Sequence, residues 1–308
     1  MEIELELARG SPDRESVLSI GVFDGVHRGH QHVISTLQAE ASRTNRVASV
    51  VTFQNHPASV LKPDFKPQYL TSFEDRLHLI KDMGVNHVVP ISFDSDLSKL
   101  RARQFVTILQ KHLRMRGMVV GPDFAMGHKR EGDLEALASL GREMGFSIEV
   151  VDPLVDDEGQ PIKSTAVREA LAKGDVTRVA LLLGRNFVLT GTVITGAGRG
   201  GPLGFPTANL KIAKGLALTD DGIYATWAHV GPQRYMAATS IGVRPTFKEG
   251  ERTVEVFVLE FDGDLYGQNI RLEFVRRLRD EVQFDSVSAL QAQVDKDVHQ
   301  VRAVLREA

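Results

Sequence analysis

Short apolar runs alternate with helical patterns along the first half of the chain. Runs rich in β-branched residues predict strands, and the stretches between them predict helices. The predicted strands are Val17–Phe23, Val47–Phe53, Val85–Phe93, Met118–Gly121 and Ser147–Val151, and the predicted helices are Gln31–Thr44, Ser72–Met83, Ala102–Leu113 and Asp133–Met144. This alternation indicates an α/β domain with a mostly parallel sheet, which binds its ligands at the carboxyl ends of the strands.

The pattern changes at residues 183–186, where short strand-like runs separated by Gly, Pro and Asp take over. These runs are Phe187–Ile194, Ile223–Val230, Tyr235–Ile241, Thr253–Phe261 and Ile270–Val275. They predict a small antiparallel barrel or sandwich, followed by one helix over Ser286–Glu307. We therefore expect two domains, residues 1–184 and residues 185–308.

Composition narrows the class of protein. The 308 residues are 42% apolar and 25% charged, with a net charge of -3 and no cysteine. The missing cysteines exclude disulfides, thiolate catalysis and cysteine-ligated zinc. The charge argues against nucleic acid as a partner, and no apolar run is long enough to cross a membrane. The acidic start lacks the features of a signal peptide, so we expect a cytoplasmic protein that acts on small molecules.

The segment Gly21-Val-Phe-Asp-Gly-Val-His-Arg-Gly-His30 joins a predicted strand to a predicted helix. Such a junction offers backbone N–H groups and the positive end of a helix dipole to an anion, and imidazoles there can donate hydrogen bonds to phosphate. A metal site is an alternative, but a helical histidine pair usually needs i, i+4 spacing, whereas His27 and His30 are three apart. A turn with incidental histidines is the other alternative.

Three further segments fall at strand ends or helix starts: 51–57, 120–133 and 162–168. Thr165 and Arg168 are one helical turn apart, so a hydroxyl and a guanidinium face the same side and can form a second phosphate clamp. An ordinary helix cap with a surface arginine would have the same sequence.

The second half contains a glycine-rich motif over residues 196–210 and a carboxylate, Glu255, within a predicted strand. Thr207 and Asn209 supply neutral oxygens suited to Mg²⁺ beside a nucleotide; a hairpin loop with a proline turn is the alternative. Glu255 should share a strand face with Thr253, Phe257 and Leu259. A carboxylate there suits a general base, and a salt bridge is the competing explanation.

The opening motif resembles the H-x-G-H signature of the nucleotidyltransferase superfamily. The order of motifs along nearly the whole chain resembles one family, the bacterial bifunctional riboflavin kinases/FMN adenylyltransferases. The matching segments are GVFDGVHRGH, TFQNHP, STAVR, LGFPTANL, DGIYA, IGVRPTF, VEVFVL, DLYG and LRDEVQFDS. The resemblance implies a Rossmann-like nucleotidyltransferase sheet that joins AMP to FMN, followed by a six-stranded antiparallel riboflavin kinase barrel with a C-terminal helix.

The resemblance also implies the site residues. In the adenylyltransferase they are Gly21, Phe23, Asp24, His27, His30, Asp123, Ser164, Thr165 and Arg168 for ATP, and Asn55, His56 and Asp123 for FMN, with His27, His30 and Arg168 catalytic. In the kinase they are Gly198, Arg199, Gly204, Thr207 and Asn209 for ATP, Thr207 and Asn209 for Mg²⁺, Arg279 for the flavin and Glu255 as the base. The implied substrates are ATP, riboflavin and FMN.

The sequence departs from the family pattern at three places. Asn55 stands where proline is usual, Lys163 stands where serine is usual, and Gly-Ala-Gly precedes Arg199 where charged residues are common. These departures leave open a riboflavin kinase whose adenylyltransferase domain only binds ligands. A flavin-sensing regulator is a further alternative.

Overall fold

A five-stranded parallel sheet forms the centre of the first unit of this computed structural model, which describes residues 2–196, 204–243 and 252–307. Its strands are β1 (Ser16–Gly21), β2 (Val47–Phe53), β3 (His87–Ile91), β4 (Met115–Val120) and β5 (Ser147–Val150), in the order β3-β2-β1-β4-β5. The strand order reverses between β1 and β4. The carboxyl ends of these two strands are therefore the expected ligand crevice.

Helices cover both faces of this sheet. They are α1 (Glu2–Arg9), α2 (Arg28–Arg43), α3 (Pro57–Leu61), α4 (Phe73–Asp82), α5 (Ser95–Lys99), α6 (Ala102–Leu113) and α7 (Leu134–Met144). Val17 packs into the core on one face, with Ile34 of α2 and Ile80 of α4, while its neighbour Leu18 packs on the other face with Leu109 of α6. Both faces of β1, β2 and β4 are largely buried, so these strands have mainly apolar sequences that could be predicted, whereas the edge strand β5 is mostly exposed.

The sequence predicts β2 and α6 with the bounds that the structure has. Strand β4 begins three residues earlier than predicted because Arg116 and Gly117 interrupt its apolar run. Helix α2 begins at Arg28 rather than Gln31, since His27 caps it. The sequence did not predict α1, α3 or α5. Two buried apolar residues, Ile3 and Leu7, fix α1 to the core.

The second unit is built on a closed six-stranded antiparallel barrel in the order β10-β7-β6-β11-β8-β9. Its strands are β6 (Phe187–Ile194), β7 (Ala208–Ile212), β8 (Gly222–Val230), β9 (Gln233–Val243), β10 (Arg252–Val258) and β11 (Asn269–Arg279). The six-stranded barrel implied by the resemblance is confirmed. Strand β7 was missed because its five residues include Asn and Lys and show no long apolar run.

Three helices belong to this second unit: α8 (Ser164–Ala172), α9 (Val176–Leu183) and α10 (Val287–Glu307). Helix α10 packs on the barrel through Val301, Val304 and Leu305, which meet Ala225 and Leu259. This confirms the predicted C-terminal helix.

The chain divides into two compact units, Met1–Lys163 and Ser164–Ala308. Helices α8 and α9 fall in the second unit: the amide of Asp220 donates to the carbonyl of Leu171 in α8 at 3.0 Å. The functional boundary after residue 184 stays a prediction. Within the described residues, no helix is long and apolar enough to cross a membrane.

Candidate functional site

The loop after β1 has an unusual backbone. Phe23 and Val26 have left-handed φ values of 52° and 39°, and Gly25 between them has φ 78°. Left-handed backbone is costly for a β-branched residue such as Val26, and such strain tends to occur where function requires it. The loop therefore holds a defined, strained shape at the carboxyl end of β1.

Asp24 fixes this loop to the segment before α4. Its buried carboxylate accepts a hydrogen bond from the amide of Leu70 at 2.9 Å, and the amide of Gly25 donates to Thr71 Oγ1 at 3.3 Å. The predicted ATP residue Asp24 thus holds the loop in place in this structure. Its predicted contact with ATP stays a prediction.

His27 and His30 lie at the N-terminus of α2. The amide of His30 donates to His27 Nδ1 at 3.3 Å, so a neutral His27 carries its proton on Nε2 and can donate from there. The two rings stack with centroids 3.6 Å apart, and Phe23 meets His30 edge-on at 5.2 Å. His27 is only 4% exposed.

This geometry favours an anion over a metal. The lone pair on Nδ1 of His27 is engaged by a backbone N–H, and the described residues contain no group of three His, Cys, Asp or Glu side chains placed to hold a metal. Both imidazoles stand at the positive end of a 16-residue helix. Donors at a helix N-terminus suit phosphate oxygens.

Gly29, in the first turn of α2, allows the backbone at Ile162 to approach the helix closely. A Cβ added there would lie 2.5 Å from the carbonyl oxygen of Ile162 and 3.2 Å from the His27 ring. Only glycine allows this approach. The space beside Gly29 is therefore filled by the chain just before Lys163.

The loop after β2 carries Asn55 and His56. The Asn55 side chain donates to the carbonyl of Phe93 at 2.8 Å and accepts from its amide at 2.9 Å, which ties the loop after β2 to that after β3. His56 Nδ1 accepts from the Ala58 amide at 3.1 Å and caps α3, and its ring lies 4.9 Å from Phe65. Where the family usually has proline, this chain thus has an asparagine that makes two hydrogen bonds to the backbone of Phe93. The FMN contacts of Asn55 and His56 stay predictions.

Asp123 lies in the loop after β4, the strand next to β1 at the point where the strand order reverses. Lys163 Nζ donates to its carboxylate at 2.5 Å, and this hydrogen bond and the lysine charge lower the pKa of Asp123. Both side chains are exposed. One departure from the family pattern, Lys163, is thus paired with a predicted ligand residue.

Ser164, Thr165 and Arg168 form the first turn of α8, and Val167 on the same turn is buried. Thr165 is exposed, and Arg168 is half-buried. They lie in the second compact unit, so their predicted role as ligands of the ATP phosphates stays a prediction.

The barrel brings three predicted residues together. Asn209 on β7 and Glu255 on β10 are direct cross-strand partners, and Thr207 Oγ1 donates to Glu255 Oε2 at 3.3 Å. A Cβ on Gly196 would lie 2.0 Å from Asn209 Nδ2, so glycine is needed for the amide to sit there. Along β10, Thr253, Glu255 and Phe257 alternate with buried residues, whereas Leu259, which was predicted on the same strand face, lies beyond the end of the strand at Val258 and is buried.

A cavity of about 580 Å³ adjoins this group. Glu255, Thr207 and the aromatic rings of Phe205, Phe257 and Phe284 line it, together with Arg279. Its apolar walls and few polar groups are typical of a small-molecule site.

Arg279 is fixed at the cavity wall. Its guanidinium donates to both carboxylate oxygens of Asp297 in α10, at 2.9 and 2.6 Å, and Gln293 donates to the same carboxylate. Asp297 is 3% exposed. Gly204 has a left-handed φ of 85°. Gly198 and Arg199 lie outside the described residues, and the ligand roles of Gly204 and Arg279 stay predictions.

Two family models match the chain: FAD synthetase over residues 10–166 and riboflavin kinase over residues 183–305. The bifunctional riboflavin kinase/FMN adenylyltransferase of Escherichia coli (strain K12) is 35% identical over 289 residues, which cover 93% of this chain and 92% of the relative. The chain belongs to the bifunctional riboflavin kinase/FMN adenylyltransferase family. The Bacillus subtilis (strain 168) member is 33% identical, covering 92% of this chain and 90% of that one.

A crystal structure described as a macrolide-efflux protein from Streptococcus pneumoniae has the same fold, with a TM-score of 0.90 at 28% identity. The match covers 98% of this chain and 97% of that one. The efflux description applies to that protein. The motifs of this chain place it with the riboflavin kinases/FMN adenylyltransferases.

Some residues that shape the first site of this family member were missed by sequence reasoning. Tyr69, Leu70, Thr71 and Arg76 all hold the loops after β1 and β2. The sequence did contain one signal for Arg76: this arginine lies one helical turn from Ile80, on the apolar face of α4, where a charged side chain is unusual.

Proposed function

We propose that this chain makes FAD in two ATP-dependent steps, phosphorylating riboflavin to FMN and then transferring AMP to FMN. The observation that carries the proposal is the grouping of Thr207, Asn209 and Glu255 beside an apolar cavity, on the chain that also carries the His27–His30 pair. Membership of the family supports the same two activities.

In the kinase step, Glu255 accepts the proton of the riboflavin 5′-hydroxyl while the 5′-oxygen of riboflavin attacks the γ-phosphorus of ATP. A bond forms between that oxygen and phosphorus, the bond to the β-phosphate oxygen breaks, and ADP leaves. The half-buried Glu255 accepts a hydrogen bond from Thr207, which orients its carboxylate toward the cavity. General-base catalysis of this kind contributes about 10²–10⁴-fold.

Thr207 and Asn209 would hold Mg²⁺ in this site. The Thr207 hydroxyl lies 3.3 Å from the Glu255 carboxylate, and Asn209 is the cross-strand partner of Glu255. Hard oxygen donors of this kind suit Mg²⁺ next to phosphates. When bound, Mg²⁺ offsets the negative charge of the ATP phosphates.

In the adenylyl step, an oxygen of the FMN phosphate attacks the α-phosphorus of ATP, and pyrophosphate leaves. The FMN phosphate is already ionised at neutral pH, so this step needs no side-chain base. His27, through Nε2–H, and His30 stabilise the charge that builds on the α-phosphate oxygens. Preorganised donors aimed at developing charge are a large source of rate enhancement. The same role for Arg168 stays a prediction.

Product chromatography tests the proposal. Riboflavin, ATP and Mg²⁺ should give FMN and then FAD, and FMN with ATP should give FAD and pyrophosphate. If FMN with ATP gives no FAD, the chain is a kinase with a binding-only first domain. If neither flavin forms, the regulator alternative gains support.

Two variants separate the sites. Glu255→Ala should lower FMN formation by about 10²-fold or more and leave FAD formation from FMN intact. His30→Ala should abolish FAD formation and leave FMN formation largely intact. Loss of both activities in either variant would contradict the assignment of one site to each unit.

A further inference from the structure

Arg76 is a buried arginine in α4 of the first unit, with 1% of its surface exposed. Arginine is rarely buried unless its charge and its N–H groups are satisfied. Its neighbours on the same helix face, such as Ile80, belong to the apolar core. The position therefore needs an explanation beyond packing.

The guanidinium joins two loops. Its Nη1 donates to the carbonyl of Val22 at 2.6 Å, and its Nη2 donates to the carbonyl of Phe53 at 2.8 Å. Val22 directly follows β1, and Phe53 ends β2. One planar fork thus fixes the carboxyl ends of two adjacent strands, and charge-assisted bonds of this kind are about twice as strong as neutral ones.

The segment leading to Arg76 reinforces both attachments through further hydrogen bonds. The Asp24 and Gly25 contacts to Leu70 and Thr71 hold the loop after β1, and the amide of His56 donates to Tyr69 Oη at 2.7 Å in the loop after β2. Arg76 is therefore the member of this set that binds the ends of both strands at once.

The guanidinium keeps its charge. Burial lowers the pKa of Arg76 from its ordinary value, and the negative charge of Asp24 acts in the opposite direction. An arginine side chain remains protonated across the physiological range. The ring of Phe73 packs at 5.1 Å from the guanidinium carbon, which further limits its movement.

We propose that Arg76 is a positioning residue for adenylyl transfer: it fixes the loop that leads from β1 to His27 and His30 relative to the loop that carries His56. The inference rests on the proposed function of the first unit. Without the fork, the carbonyl of Phe53 loses its Arg76 donor and that of Val22 keeps only the longer hydrogen bond from Thr52 Oγ1 at 3.2 Å, so the two loops can shift. A misplacement of about 1 Å at a reacting centre can cost about 10²-fold in rate.

The test compares Arg76→Met with Arg76→Lys in the full-length chain. Methionine keeps the apolar stem without charge or donors, whereas lysine keeps the charge and donates from a single point. We expect kcat for FAD formation from FMN to fall about 10²-fold in Arg76→Met and about 10-fold in Arg76→Lys. The KM values for ATP and FMN should stay within about twofold, and kcat for FMN formation from riboflavin should not change.

Arg116→Met is the matched control, since it removes an exposed arginine that pairs with Glu15 at 2.9 Å in the same unit. It should retain both activities. Rates are measured well below the midpoint of thermal unfolding of every variant, so that lost stability alone leaves kcat per folded molecule unchanged.

Wild-type FAD formation tests the proposed function separately from Arg76. If the wild type makes FAD and folded Arg76→Met does so at the wild-type kcat, the positioning role is overturned. A parallel loss of kinase activity would also overturn it. If neither variant folds, or if both lose only thermal stability, Arg76 has a purely structural role and the proposal fails.

Discussion

Gly29→Ala tests the proposed adenylyl-transfer site with a change of one methyl group, which would clash with the backbone of Ile162. The added Cβ would lie 2.5 Å from the carbonyl oxygen of Ile162. A carbon–oxygen contact normally stays at about 3.3 Å or more, so the two segments must separate by roughly 0.8 Å. Ile162 is held by its own hydrogen bond to Leu154 at 2.9 Å, so part of the shift must fall on the start of α2.

That shift moves His27 and His30, since Gly29 lies between them and the new Cβ also comes within 3.2 Å of the His27 ring. A displacement approaching 1 Å costs about 10²-fold in rate, or about 2.7 kcal/mol in activation free energy. Alanine favours a helix over glycine by about 1 kcal/mol, which offsets part of the clash in the free energy of unfolding. Activity should therefore fall much more than stability.

The assay is FAD formation from FMN and ATP, with FMN formation from riboflavin as the internal control. Gly145→Ala is the control variant: a Cβ there meets no described atom within 4 Å, and Gly145 lies between α7 and β5, at the opposite end of the sheet from the ligand crevice, where its left-handed φ of 75° makes alanine cost stability only. It should retain both activities. Wild-type FAD formation by Gly29→Ala would refute the claim that this close approach positions the histidines.

Three other changes test the supporting contacts. Asp297→Asn should lower the free energy of unfolding by about 2–3 kcal/mol in denaturant titrations, near the lower end for broken buried pairs since Arg279 keeps a fifth of its side chain exposed. Burial lowers the pKa of His87 from 6.5, so the unfolded chain binds a proton more readily than the folded chain does. The free energy of unfolding should therefore fall as the pH drops below 6.5. His87→Gln should make the free energy of unfolding less dependent on pH between about pH 5 and 7. Asn55→Ala should lower kcat for FAD formation about 10-fold by freeing Phe93, and an unchanged kcat would show that the tie is dispensable.

Local patterns account for what the sequence predicted. The apolar runs of β2 and α6 depend on neighbours a few positions apart, so their bounds could be predicted from periodicity. The His27–His30 segment was predicted as a strand–turn–helix junction for the same reason. Elements with short or mixed patterns, such as α1 and β7, were missed because packing partners far along the chain stabilise them.

The fold class and the family could be predicted from the sequence alone. Which side chains come into contact is set by the tertiary structure. Glu255 lies beside Thr207 because the barrel pairs β10 with β7 and so brings together two residues that are 48 positions apart in the sequence. The role of Arg76 and the approach of Ile162 to Gly29 likewise depend on contacts across tens of residues. No local periodicity encodes such contacts, because they arise from the packing of whole elements.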